Sequence, residues 1–191
     1  MDMTGERRIA APRLTVWRAL NDAEVLKQAI PGCEEIDKTS DTEFTAKVTA
    51  KVGPVKARFG GKVTLSDLDP PNGYRISGEG QGGGAGFAKG GAEVRLESVD
   101  GGAATVLRYK VHATVGGKLA QIGSRLIEGT ARKMADDFFD RFAAAVGAPA
   151  VAEAAVPAPV AAEEKRPGLS PLVWVGALIV IVVVLLLIFG L

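Results

Sequence analysis

The chain has 191 residues, 47% of them apolar, which suffices for one domain with its own core plus further segments. A formal net charge of +1 gives no general attraction for nucleic acid, so that class of partner is not expected. The single cysteine, Cys33, excludes an intramolecular disulfide and suits a reducing compartment.

Residues Met1 to Arg8 hold no apolar run and do not read as a secretory leader; a strand is expected there. Pro12 to Leu20 has helical spacing with a proline in its first turn. Asp22 is placed to cap a second short helix to about Ala29, ended by Pro31-Gly32, with Cys33 in the loop that follows. From Glu43 the chain alternates. Phe44, Ala46, Val48, Ala50 and Val52 interleave with Thr45, Lys47, Thr49 and Lys51, and after Gly53-Pro54 the pattern resumes with Val55, Ala57, Phe59, Val63 and Leu65. That is a hairpin with one dry and one wet face. Pro70-Pro71-Asn72-Gly73 turns the chain, and Tyr74, Ile76, Gly78 and Gly80 continue the dry face. Ala92, Val94 and Leu96 follow, then a turn at Asp100-Gly101-Gly102, then Leu107, Tyr109, Val111, Ala113 and Val115. Residues Lys118 to Val146 read as one long helix whose stripe of Leu119, Ile122, Leu126, Thr130, Met134 and Phe138 covers the dry face. A strand, two short helices, an antiparallel meander and a long helix make an α+β fold, a curved sheet around its last helix.

Two segments follow residues 1–147. Residues 148–171 are rich in Ala and Pro and read as a semi-extended linker. Residues 172–191, LVWVGALIVIVVVLLLIFGL, carry no charge. Twenty helical residues span roughly 30 Å, the thickness of the hydrocarbon core, so a single transmembrane helix is expected. Lys165 and Arg166 precede it, which places the domain on the cytoplasmic side of the cytoplasmic membrane.

The sequence offers little for catalysis. Gly78-x-Gly80-x-x-Gly83 matches a dinucleotide fingerprint in form, but it sits in a meander and precedes a strand. His112 is the only histidine, and alternation puts it on the wet face. Cys33 therefore lacks a base. The adjacent pairs Glu34-Glu35 and Asp136-Asp137 diverge and make no acid/base dyad. No clustering of His, Cys and carboxylates suggests a metal site. The wet face carries Lys47, Lys51, Lys56, Arg58, Lys62, Arg108 and Lys110, either an ordinary solvated face or a surface for acidic partners or anionic lipid.

A binding site has more support. Large residues on the dry face (Phe44, Phe59, Tyr74, Phe87, Tyr109) stand among small ones such as Ala46, Ala57, Gly78 and Ala113. Small residues under a long helix leave an apolar void, or the core is simply filled; residues alone support both. Tyr74 and Tyr109 would be polar handles in such a void. Gly80 to Gly91 reads either as a disordered hairpin tip or as a mobile lip carrying Phe87 and Lys89 toward lipid.

Four stretches carry a resemblance: WRALNDAEVLKQAIPGCE from Trp17, GPVKARFGGKVTL from Gly53, GEGQGGGAGFAKGGAEVRL from Gly78, and VGGKLAQIGSRLIEGTARKMADDFF at the long helix. Together they resemble the carbon monoxide dehydrogenase G-subunit family, of the START and Bet v 1-like superfamily, over about residues 1–146. The resemblance implies a helix-grip fold with an internal apolar cavity. It also implies association with molybdenum-type carbon monoxide dehydrogenase or a related hydroxylase, often through a membrane tail.

The resulting expectation is a membrane-tethered, non-enzymatic binding module. It would recruit the dehydrogenase and hold a lipophilic small molecule, with a quinone bound non-covalently and no covalent cofactor. Phe44, Phe59, Tyr74, Tyr109, Ile122, Leu126 and Met134 are expected to line the pocket, and Phe87 its lip. A passive anchor with a filled core, and a cyclase- or hydrolase-type enzyme, are the alternatives.

Overall fold

The computed structural model describes residues 1–147. The expected linker at 148–171 and transmembrane helix at 172–191 lie outside the described residues, among which no helix is long and apolar enough to cross a membrane. The elements in chain order are β1 (Asp2–Ile9), α1 (Arg13–Ala19), α2 (Ala23–Ala29), β2 (Cys33–Lys38), β3 (Glu43–Val52), β4 (Val55–Asp69), β5 (Gly73–Gln81), β6 (Phe87–Val99), β7 (Ala104–Gly116) and α3 (Ser124–Gly147). The strands form one seven-stranded sheet in the order β1-β7-β6-β5-β4-β3-β2, with every neighbouring pair antiparallel. This is the α+β helix-grip arrangement.

The alternation of the sequence becomes the two faces of the sheet. In β3, Phe44, Ala46, Val48, Ala50 and Val52 are buried, and the residues between them are not. Val52 pairs with Val55 across Gly53-Pro54, and Gly53 takes a φ of +56, a left-handed conformation that glycine adopts without a steric penalty. α2 forms where Asp22 accepts hydrogen bonds from the Glu24 and Val25 amides. Cys33 opens strand β2 rather than lying in a loop. β2 is the outermost strand on its side. It is six residues long, its register shifts between Cys33 and Glu35, and Glu34, Glu35, Asp37 and Lys38 are exposed. The buried Thr105 hydroxyl donates to the Ala11 carbonyl at 2.7 Å, fixing β7 to the segment after β1.

The last helix differs from expectation in its start and its buried stripe. Ala120–Ile122 is a 3-10 turn, and Gly123, with φ +96, separates it from α3. Leu119 is nonetheless buried, its amide donating to the Ala85 carbonyl at 3.1 Å. The buried stripe of α3 is Ile127, Ala131, Met134, Ala135, Phe138, Phe139 and Phe142. Leu126 is 48% exposed, because a row of spacing four through Ile127, Ala131 and Ala135 leaves it on the flank.

The glycine-rich stretch is neither a long disordered tip nor a lip. β5 runs to Gln81, which pairs with Phe87, and only a 3-10 turn at Gly83–Ala85 intervenes. Several of these glycines sit where backbones approach closely. A Cβ on Gly90 would lie 2.1 Å from the His112 carbonyl oxygen.

Candidate ligand-binding site

Between the sheet and the helices lies an apolar cavity of about 40 Å3. Leu20 after α1, Leu26 in α2 and Ile30 just beyond it form one wall; Ile36, Phe44, Val63, Leu65, Tyr74 and Ile76 form the sheet side; Phe138 of α3 completes it. The only polar side chain is Tyr74. It is 4% exposed, its ring meets Trp17 edge-on at 5.3 Å between centroids, and its hydroxyl makes no hydrogen bond among the described residues. Burial pushes the phenol well above the usual tyrosine range, so it stays neutral and keeps a proton to donate.

Of the expected pocket residues the structure brings Phe44 and Tyr74 together here. Tyr109 is buried elsewhere, stacked on Phe139 at 5.9 Å with its hydroxyl against the backbone of Gly5. Phe59 and Met134 are buried outside the cavity wall. Ile122 is half-buried and Leu126 exposed, both against the turn at Gly53. Phe87 belongs to the outer face: β6 buries Ala88, Ala92 and Val94, which turns Phe87 outward over Gly116. A ring covering a glycine of the neighbouring strand is a packing device of sheets and forms no lip. Leu20, Leu26, Ile30 and Ile36 are lining residues that the sequence pattern does not single out; the apolar spacing around α2 is a signal for Leu26 and Ile30 alone.

The reactive side chains sit away from this cavity. His112 is exposed and pairs with Asp2 at 2.7 Å, which holds the Asp2 carboxyl below its usual range. Asp136 pairs with Arg7 and Asp137 with Lys133, while Glu34 and Glu35 engage Arg58 and Lys47. Among the described residues no group of three His, Cys, Asp or Glu could hold a metal ion. The Cys33 thiol is half-buried, and desolvation pushes it up to about 11 from an ordinary 9.0. Its thiolate fraction at pH 8 is therefore roughly a hundredfold below that of an unperturbed cysteine. Alkylation of the native protein by iodoacetamide is expected to be correspondingly slow and to rise about tenfold per pH unit up to about pH 10. A rate at pH 8 equal to that of the unfolded chain would show the thiol to be unprotected.

Comparison with known proteins settles the lineage. The family model for the G subunit of carbon monoxide dehydrogenase (CoxG) matches residues 5–147. The chain belongs to the CoxG family. No curated protein matches the sequence significantly. A conserved protein from Geobacillus kaustophilus is similar in structure, with 26% identity and a TM-score of 0.72, covering 77% of this chain and 95% of that one. A START superfamily protein from Mycobacterium smegmatis has 12% identity and a TM-score of 0.59, covering 76% and 97%. The Zhui aromatase/cyclase from Streptomyces has 16% identity and a TM-score of 0.54, covering 80% and 96%. At those identities the last two establish a shared START-like fold and nothing further. The CoxG match covers the whole described domain apart from its first four residues.

Proposed function

We infer that this CoxG-family chain is a membrane-tethered binding module. It holds carbon monoxide dehydrogenase, or a related molybdenum hydroxylase, at the cytoplasmic face of the membrane. It also carries a lipophilic, quinone-like molecule that accepts electrons. The family supports the partner, and the uncharged segment 172–191 supports the tether. The observation that carries the ligand is the apolar cavity bordered by the neutral, unpartnered Tyr74 phenol, which suits a ligand with a carbonyl.

At about 40 Å3 the cavity is far below the roughly 300 Å3 of the smallest usual ligand pockets. A quinone ring enters only if the wall formed by α1 and α2 moves outward, separating Leu20, Leu26 and Ile30 from Phe138. The same small volume favours a second reading, a passive anchor with a filled core.

One experiment separates the two. Trp17 touches Tyr74, and Trp174 is the only other tryptophan, so a full-length Trp174→Phe chain in lipid nanodiscs reports from the cavity wall. Titration with a short-chain naphthoquinone is expected to quench Trp17 saturably. Tyr74→Phe should weaken binding about twofold to tenfold, the contribution of one hydrogen bond. Absence of saturable quenching, with no lipophilic molecule in a solvent extract of the purified chain, establishes the passive anchor.

A further inference from the structure

One end of the domain differs in charge from the rest. The β3–β4 turn, the β5–β6 turn and the start of α3 meet there. Ile122 and Leu126 lie against Gly53, and the Leu119 amide bonds to Ala85. Residues 51–56, 81–89 and 115–128 contain five cations, Lys51, Lys56, Lys89, Lys118 and Arg125, and one carboxylate, Glu128. None of the five has a carboxylate within 4.0 Å among the described residues. Elsewhere on the sheet many cations are neutralised: Arg58 by Glu34, Lys62 by Glu43, Arg75 by Asp67, Arg108 by Glu6. Lys51 and Lys56 are direct cross-strand partners. Like charges placed so are destabilising, and an anion near them relieves the cost. Amid these cations Leu126 is 48% exposed. At the opposite end Leu68 is exposed between Asp67 and Asp69, and Leu14 is exposed beside Arg13, which bonds Asn72 of the β4–β5 turn. Charges of both signs alternate at that far end, whereas the end around Gly53 is predominantly cationic and is the one attracted to a negative surface.

We propose that this end docks on the anionic lipid surface of the bilayer, with Leu126 entering the headgroup layer and Lys51, Lys56, Lys118 and Arg125 meeting lipid phosphates. The proposal rests on the membrane tether of the preceding section. An exposed apolar side chain at an end rich in cations without a carboxylate partner is the pattern of interfacial binding rather than of a purely polar protein contact. The geometry of attachment permits it. α3 runs from this end to Gly147, which lies beside Ala10 at the far end, roughly 36 Å along the helix. Residues 148–171 reach up to roughly 80 Å when extended, enough to let the domain turn over.

The test uses the full chain with Trp17→Phe and Trp174→Phe, carrying Leu126→Trp or, as a control, Leu68→Trp. Each is reconstituted into vesicles of brominated phosphatidylcholine, with or without phosphatidylglycerol. The expected result is bromine quenching and a blue shift for Leu126→Trp on the phosphatidylglycerol vesicles only, reversed at high salt, with Leu68→Trp unaffected. Adding Lys51→Glu and Lys56→Glu should reduce the docked fraction about tenfold or more. A chain that floats with vesicles but shows equal emission from Leu126→Trp on both lipids overturns the docking and leaves this end to an acidic protein partner. A chain that floats with neither vesicle overturns the tether itself.

Discussion

Replacing Phe138 by alanine is expected to destabilise the domain by about 3–5 kcal/mol, as full truncation of a buried aromatic does. Phe138 is fully buried, its ring 5.0 Å from that of Phe139 and 5.4 Å from that of Phe142 between centroids. It also borders the cavity, so the vacated volume joins an existing void instead of being closed by neighbours. For a domain of this size the melting temperature should fall by roughly 10–15 °C in thermal denaturation. The enlarged void is dry and apolar, and it should take up benzene, which raises the melting temperature of Phe138→Ala and leaves the parent chain unchanged. A loss under about 1 kcal/mol would mean that α3 does not pack on the sheet through this residue.

Gly90→Val is expected to be worse, with about 4 kcal/mol or more lost and little folded protein recovered on expression. Its Cβ would stand 2.1 Å from the His112 carbonyl oxygen and 2.8 Å from the Ala113 Cα. Both obstacles are backbone, so no side-chain rotation relieves them, and the β6–β7 ladder, flanked by a strand on either side, must open. Gly84→Ala is the matching control. Its Cβ meets nothing within 4 Å, and its effect should stay within about 0.5 kcal/mol. Equal behaviour of the two variants, by melting temperature and soluble yield, would refute the close packing of the glycine strands.

These glycines also show what a single sequence conceals. The strands are legible because one face is buried and the other wet, and a period of two survives in the text from Phe44 to Val115. Glycine carries no such signal. Gly80 to Gly91 has a composition that suits a loose tip and a strand pressed against its neighbour equally well, and only the pairing of Gln81 with Phe87 decides. The start of α3 is concealed for a similar reason, since Lys118 to Ile122 keeps helical spacing while Gly123 turns the backbone away. Leu126 and Ile127 are both apolar, and the choice between them depends on which face meets the sheet. The cavity is half visible. Phe44 and Tyr74 follow from alternation, whereas Leu20, Leu26 and Ile30 reach it because α1 and α2 fold back beside α3, a contact between distant parts of the chain.

The short outer strand β2 has a consequence for crowded conditions. An open sheet edge is a template on which a second copy can add a strand, and repeated addition grows fibres. Here the displaced register at Glu34 interrupts the row of amides and carbonyls such a copy would need. Two β2 edges brought together would also set Asp37 of one copy, and the ion pairs of Glu34 and Glu35, against the same charged groups of the other. Copies concentrated side by side can therefore collide along this edge without polymerising.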